Sequence, residues 1–165
     1  MAEALLRNRL AAIGMDAHVH SAGLLDDGRP ATPEGVEAMA ALGLDITAHR
    51  STRLTAGAIA AADLLVGMAR EHVREAVIVD PPAWPKAFTL KELVRRGEAA
   101  GARADGQSFD EWLDKLGAGR SQTDLLGSDP GDDVADPIGA GPDEYCRTAA
   151  ELDQLIGRFV ELGWG

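Results

Sequence analysis

The chain has 165 residues, of which 45% are apolar, so a single domain over residues 1–165 with one core is expected. Its formal net charge of -11 argues against a nucleic-acid or anionic-membrane partner, because both need a broad positive field. One cysteine excludes an internal disulfide and a cysteine-rich zinc site. No apolar run approaches the roughly 20 residues that span a bilayer, so we expect a soluble, cytoplasmic protein.

Apolar periodicity predicts helices, in chain order, over residues 1–12, 35–42, 54–61, 71–79, 91–96, 109–116 and 144–162. The first helix would bury Leu5, Leu6, Leu10 and Ile13. The pattern over 71–79 also allows a helix that runs into a strand. Short apolar runs predict strands over residues 18–22, 62–68 and 87–90, the second of them buried on both faces. Segments rich in Gly, Pro, Asp and Ser predict loops over residues 26–33, 97–108 and 117–133.

Helices that alternate with short apolar strands indicate an α/β fold with a small parallel sheet flanked by helices in three layers. The first predicted helix starts at residue 1, with no strand before it. A central strand normally feeds such a helix, and without it two strand edges would be left unpaired. We therefore expect the chain to be truncated, lacking the first strand of its domain.

Several segments, in order, resemble the low-molecular-weight protein tyrosine phosphatases. The matching segments are Met1-Ala2-Glu3-Ala4-Leu5-Leu6, His20-Ser21-Ala22-Gly23, Thr47-Ala48-His49-Arg50, Ala62-Asp63-Leu64-Leu65-Val66-Gly67-Met68 and Asp136-Pro137-Ile138-Gly139. Together they cover nearly the whole chain. In this family a phosphate-binding loop, Cys-x5-Arg-Ser, stands immediately before the first of these segments. The resemblance implies that Met1 is an internal methionine and that the nucleophilic Cys and the phosphate-binding Arg are absent.

The resemblance also implies a mechanism. A Cys thiolate attacks the phosphate monoester, and an Asp protonates the leaving oxygen and then activates the water that cleaves the cysteinyl-phosphate. That Asp is implied to be Asp136; the alternative is a loop Asp that starts an Asp-Pro turn. Three acidic neighbours, Asp129, Asp132 and Asp133, rival it in sequence, and we interpret them as a solvated acidic loop.

Ser21 and His49 match family positions whose side chains bind an Asn of the phosphate loop and keep that loop preorganised. The alternative for each is an ordinary surface residue. His18, His20 and His72 match no such supporting position, and nothing in the sequence pairs them at metal-ligand spacing, so we interpret them as surface residues. We therefore expect no metal and no cofactor.

Cys146 does not replace the missing nucleophile, because position 152 is Leu rather than Arg and because the thiol falls inside the last helix. We interpret it as a small packed apolar group. The chain alone is therefore predicted to be inactive.

The resemblance implies that Ile138 lines the substrate pocket, at the position where tyrosine-selective members usually carry an aromatic residue. Tyrosine selectivity is thus open, and the substrate is a phosphorylated protein or a small phosphomonoester, with phosphoserine and phosphoarginine among the candidates. A catalytically dead binding or regulatory remnant is one alternative function. The other is an arsenate reductase-like protein, which the lack of further cysteines disfavours.

Overall fold

A computed structural model describes residues 1–25 and 27–165, so Asp26, the first residue of the predicted loop 26–33, lies outside the described residues. Within them the helices are α1 (Ala2–Ala12), α2 (Pro33–Ala41), α3 (Ala56–Ala61), α4 (Arg70–Val79), α5 (Leu90–Ala100), α6 (Phe109–Gly117) and α7 (Pro142–Trp164). The strands are β1 (Leu65–Gly67) and β2 (Ala87–Thr89), and 3-10 helices cover Pro81–Lys86 and Gln122–Leu125.

Hydroxyl side chains define where several helices begin. Oγ1 of Thr32 accepts a backbone N–H in the first turn of α2, and Thr89 does the same for α5. At α6, Ser108 and Glu111 form a reciprocal capping box. Such caps satisfy N–H groups that have no partner inside the helix. Because caps and apolar periodicity are both local, the predicted helices are confirmed with shifted ends.

Two details of the helix predictions are wrong, and one open alternative is decided. Ile13 is 51% exposed instead of joining the buried face of α1. Of the two alternatives left open for residues 71–79, the helix without a strand is confirmed, since α4 stays helical to Val79. The helix predicted over 91–96 extends to Ala100, so the first residues of the predicted loop 97–108 are helical.

The described strands form a two-stranded parallel sheet. Leu65 lies opposite Ala87, and Gly67 lies opposite Thr89. The strand β2 is fully buried, whereas β1 is only half-buried, so the expected burial of both its faces is wrong. With one paired edge among the described residues, β1 lies at the border of the sheet. The three-layer arrangement stays a prediction.

The predicted strand 18–22 forms no ladder within the described part of the chain. Only Gly23, which follows it, makes an isolated parallel bridge with Arg53. The N–H of Gly23 donates to the carbonyl of Thr52 at 2.8 Å. A β-strand needs a continuous run of backbone hydrogen bonds to a neighbouring segment. Here the segment around Arg53 forms only one bridge, at Gly23.

One compact unit of the chain consists of residues 1–53 and 135–160. Its buried side chains come from α1, α2, α7 and the loop after α2, namely Leu5, Leu10, Ala38, Met39, Ile46, Tyr145, Ala149, Leu152, Ile156, Phe159 and Val160. The guanidinium of Arg9 on α1 binds Asp153 on α7, with Nη2 2.7 Å from Oδ1. The two segments of this unit are therefore joined by an ion pair as well as by a common core.

The other compact unit consists of residues 54–134 and 161–165, and it contains the sheet. Its apolar clusters are Val73, Val77, Ala87 and Leu125 with Leu65 and Trp84, and Ile59, Ala76 and Ala83 with Leu54 and Leu65. Leu65 belongs to both clusters, so β1 connects them. The single-domain organisation over residues 1–165 stays a prediction.

Candidate active site

The unit formed by residues 1–53 and 135–160 contains an open cavity of about 380 Å³ beside the first turn of α1. Its lining residues are Met1, Glu3, Ala4, Arg7, His20, Ser21, Asp45, Ile46, Ala48, His49, Arg50 and Thr52. Ser21 and His49, which lie far apart in the sequence, therefore face one cavity. The structure brings these two predicted site residues together.

The carboxylate of Glu3 lies between Ser21 and His49. Its Oε2 accepts the backbone N–H of Ser21 at 3.1 Å and also the Ser21 hydroxyl, while Nδ1 of His49 lies 3.8 Å from the same oxygen. Its Oε1 accepts a hydrogen bond from Arg7, one turn further along α1. Glu3 stands in the first turn of α1, where the positive end of the helix dipole favours a negative charge.

The protonation state of Glu3 follows from these contacts. Partial burial opposes ionisation, but the hydrogen bonds from Ser21 and Arg7 and the charges of Arg7 and His49 outweigh it, so the pKa of Glu3 lies below its ordinary value. At neutral pH the group is a carboxylate that only accepts hydrogen bonds, and Ser21 donates to it. Sequence analysis missed Glu3 as a site residue. The available signal was its spacing of four from Arg7 on a helix that opens the chain.

Local hydrogen bonds fix the loop that carries His49. Oδ1 of Asp45 accepts the N–H of Thr47 at 2.8 Å, and hydrogen bonds from the Thr47 backbone and side chain hold the pKa of Asp45 below its ordinary value. Nη1 of Arg50 donates to the carbonyls of Thr47 at 3.1 Å and of His49 at 2.7 Å. The His49 ring is thus presented by a closed turn and not by a long free loop.

Asp136 and Ile138 lie on a loop of the same unit, just before α7. Asp136 is exposed, and its Oδ1 accepts the N–H of Ile138 at 3.0 Å in an Asx turn. The turn closes at Gly139, whose φ of +79° is a conformation that favours glycine. Ile138 is 70% exposed. Neither Asp136 nor Ile138 belongs to the described cavity lining, so the structure does not gather them with Ser21 and His49.

Comparison with known protein families gives one match over most of the chain. The model of the family described as low molecular weight phosphotyrosine protein phosphatase matches residues 1–104. The chain belongs to this family. Its fold is similar to that of a low molecular weight protein tyrosine phosphatase of known structure, and the family is the one that the sequence resemblance predicted.

Individual relatives carry two kinds of substrate name. A probable low molecular weight protein-tyrosine-phosphatase, EpsP, from Ralstonia nicotianae is 34% identical over 120 residues, which cover 72% of this chain and 80% of the relative. The protein-arginine-phosphatase of Bacillus subtilis is 27% identical over 162 residues, which cover 98% of this chain and 85% of the relative. A crystal structure of a low molecular weight protein tyrosine phosphatase from T. tengcongensis superposes with a TM-score of 0.71 at 30% sequence identity. The superposition covers 97% of this chain and 87% of that structure.

The acidic residues that rivalled Asp136 in the sequence have partners within the other unit of this chain. Asp132 is 7% exposed and accepts hydrogen bonds from Arg70 at 2.6 Å and from Arg95 at 2.7 Å. Asp133 accepts the backbone N–H of Arg70 at 2.8 Å. The expected solvated loop is therefore wrong for Asp132 and Asp133. Burial opposes ionisation of Asp132, but Arg95 and Arg70 outweigh it and hold its pKa below the ordinary value.

The thiol also differs from expectation, whereas His18 and His20 do not. Cys146 is exposed on α7, so the interpretation as a packed apolar group is wrong. The rings of His18 and His20 lie 5.3 Å apart, and both residues are exposed, so their interpretation as surface residues is confirmed. Among residues 1–25 and 27–165, no three His, Cys, Asp or Glu side chains gather as metal ligands. Within the same residues, no helix combines the length and apolar character needed to cross a membrane.

Proposed function

We propose that this chain carries the acid and support residues of a low molecular weight phosphatase, which hydrolyses phosphate monoesters through a cysteinyl-phosphate. The observation that supports it best is the convergence of Ser21 and His49 on one cavity beside the first turn of α1. The family's reaction takes place at the start of that helix. Helix N-termini favour anions, and so they suit a phosphate-binding loop.

Asp136 is the proposed general acid and base. It would protonate the leaving group as its bond to phosphorus breaks, which is an oxygen in a phosphate monoester and a guanidino nitrogen in phosphoarginine. It would then take a proton from the water that attacks the cysteinyl-phosphate. An exposed carboxyl on a loop can reach a substrate, and Asp136 is exposed. Its buried rival Asp132 is held by two arginines and is unsuited to exchange protons with a substrate.

Ser21 and His49 are proposed to support the phosphate loop. In the 165 residues their contacts go to Glu3, which itself sits on the helix that follows that loop in the family. The Ser21 hydroxyl, the His49 ring and the Glu3 carboxylate would then form one polar wall beneath the loop. Such a wall preorganises the groups that touch the phosphate.

The 165 residues contain no Cys-x5-Arg sequence, because their one cysteine, Cys146, is followed six residues later by Leu152. Without a thiolate beside an anion-binding loop, neither the attack nor the stabilisation of the phosphoryl group can occur. We therefore propose that the chain alone has no phosphatase activity.

The proposed substrate is a phosphorylated protein side chain, by analogy with relatives named for phosphotyrosine and for phosphoarginine. Ile138 is proposed to line the substrate pocket. It lacks the ring that would add roughly 0.5 to 1.5 kcal/mol of aromatic pairing with phosphotyrosine. A relative that covers 98% of this chain is a protein-arginine-phosphatase, and this supports phosphoarginine as the preferred substrate.

Hydrolysis of p-nitrophenyl phosphate by the purified 165-residue chain tests the missing nucleophile. We expect no rate above that of buffer. Hydrolysis that disappears in Cys146→Ser would overturn the proposal, because Cys146 would then be the nucleophile. Binding of inorganic phosphate without turnover would instead favour a binding or regulatory protein.

A fusion tests the acid. A segment from a family relative that ends in Cys-x5-Arg-Ser-Pro is placed before Met1, and activity is expected to appear. In the fusion, Asp136→Asn should lower turnover of an alkyl phosphate by about 10²- to 10⁴-fold, and turnover of p-nitrophenyl phosphate by less, because p-nitrophenolate leaves without a proton. The matched control is Asp143→Asn, an exposed Asp in the first turn of α7. Equal behaviour of the two variants on both substrates would refute the assignment.

The same fusion separates the substrate classes. Rates on a phosphotyrosine peptide and a phosphoarginine peptide of otherwise identical sequence are compared, with Ile138→Phe as the second enzyme. The parent fusion should hydrolyse the phosphoarginine peptide faster than the phosphotyrosine peptide. Ile138→Phe should raise the rate on the phosphotyrosine peptide relative to that on the phosphoarginine peptide. A preference for phosphotyrosine that the substitution leaves unchanged would contradict a role for Ile138.

A further inference from the structure

Two of the four histidines of the chain lie side by side, outside the group of residues that the family reaction uses. The rings of His18 and His20 have centroids 5.3 Å apart and an interplanar angle of 44°. Both residues are exposed, and His20 lines the edge of the cavity described above. Residues at i and i+2 face the same way when the backbone is extended, which accounts for the pairing.

The segment that carries the pair is held in place. Nη2 of Arg7 donates to the carbonyl of Val19, the residue between the two histidines, at 2.8 Å. The N–H of Met15 donates to Leu10 at 3.0 Å, and Gly23 is bridged to Arg53. A ligand would therefore meet two rings whose backbone is already ordered, and it would lose less binding energy to the ordering of a loop.

The separation of the rings fits joint coordination of one metal ion. Zinc lies about 2.0 to 2.1 Å from an imidazole nitrogen and prefers tetrahedral angles, which places the centroids of two coordinating rings about 5 Å apart. An angle of 44° lies between the near-parallel and the perpendicular arrangements that aromatic pairs prefer, so ring stacking alone does not explain the pair.

We propose that His18 and His20 form a two-histidine site for an exchangeable divalent transition-metal ion at the edge of the cavity. Imidazole suits Zn²⁺, Cu²⁺ and Ni²⁺, and affinity should follow the usual order, with Cu²⁺ held most tightly. No third His, Cys, Asp or Glu joins the pair among the described residues, so water completes the coordination and the ion can leave. The net charge of -11 attracts cations to the chain.

Titration of the untagged 165-residue chain with Zn²⁺ at pH 7.5, followed by calorimetry, tests the proposal. We expect one ion per chain at a site that His18→Asn and His20→Asn each weaken at least 10-fold. Two matched controls, His72→Asn and Cys146→Ser, remove a partly exposed histidine and the exposed thiol, and they should leave this site unchanged. Thermal unfolding of each variant confirms that it folds as the parent does.

A second measurement locates the ion. Cu²⁺ added below one equivalent should broaden the nuclear magnetic resonance signals of residues 18–20 first, because its unpaired electron relaxes nearby nuclei. Zn²⁺ binding that survives in the double variant His18→Asn/His20→Asn would overturn the proposal. So would broadening centred on His72 or Cys146, and so would the absence of any Zn²⁺ binding at 1 mM metal.

Discussion

Two glutamates of this chain have the same kind of partners in opposite surroundings. Glu3 binds Arg7, which is 56% exposed, and lines an open cavity. Glu92 binds Arg120, which is 2% exposed, through Oε1 at 2.8 Å from Nε. A carboxylate–arginine pair that water reaches contributes little to stability, whereas one enclosed by protein cannot lose a partner without a large cost. The same type of ion pair thus lines an open cavity at Glu3 and stabilises the packed core at Glu92.

The enclosed pair is completed by aromatic rings. The guanidinium carbon of Arg120 lies 4.0 Å from the ring centroid of Trp84 and 3.8 Å from that of Phe88. Its remaining N–H groups donate to the carbonyls of Trp84 and Ala87. Burial lowers the pKa of Arg120, while Glu92 opposes that shift. The Arg120 side chain therefore joins Glu92, the two aromatic rings and two backbone carbonyls in the core.

The largest effect is therefore expected at Arg120. Arg120→Ala should lower the free energy of unfolding by about 3 kcal/mol, because it leaves the Glu92 carboxylate enclosed with Arg96 as its remaining cation. Urea unfolding measures this. Arg120→Lys keeps the charge but loses the planar fork and the stacking, so its loss should be intermediate. A loss below about 1 kcal/mol for Arg120→Ala would show that the enclosed Glu92–Arg120 pair contributes no more to stability than an exposed pair.

A smaller effect is expected at Asp132, whose partners Arg70 and Arg95 are partly exposed. Asp132→Asn should lower the free energy of unfolding by about 2 kcal/mol at pH 7, because two charged hydrogen bonds are weakened. The control is Asp105→Asn, an exposed loop residue of the same unit. It should change stability by less than about 0.5 kcal/mol.

The pH dependence of the Asp132 effect has a definite sign. The folded-state pKa of Asp132 lies below its ordinary value of about 3.9, so the carboxylate stabilises the fold above that pH. This contribution is lost as the pH falls through the folded-state pKa. The difference between the parent chain and Asp132→Asn should therefore be complete at pH 6 and shrink below about pH 4. A difference that stays constant down to pH 2 would contradict the assignment.

The smallest effect is expected at Glu3. Glu3→Gln should cost less than about 1 kcal/mol, because the amide oxygen still accepts from Ser21 and because Arg7 keeps its bond to Val19. Thermal unfolding at neutral pH measures this, with Glu34→Gln in the first turn of α2 as the control. A loss equal to that of Arg120→Ala would show that the cavity wall is as much a part of the core as the Arg120 cluster.

The extent to which the sequence predicted the structure depends on the range of each signal. The caps at Thr32 and Ser108 and the apolar spacing of α6 and α7 act within one or two turns, and the helices they predict are present. The strand 18–22 was predicted from its own pattern, but a ladder needs a partner from another part of the chain. The family resemblance predicted Ser21 and His49 as partners in one site, and no local pattern could have done so.

The sequence by itself determined the family, the helices and the absence of a Cys-x5-Arg loop from these 165 residues, because motifs and periodicity are written in consecutive residues. Only the tertiary structure decided the roles of the charged residues. Glu3, Glu92 and Asp132 are all simply acidic residues in the sequence, and the contacts of each depend on which arginines fold against it. The lowered pKa values of Glu3 and Asp132 follow from those partners and from how much water reaches each carboxylate. Burial and distant partners are products of the packed chain, so no segment taken alone could specify them.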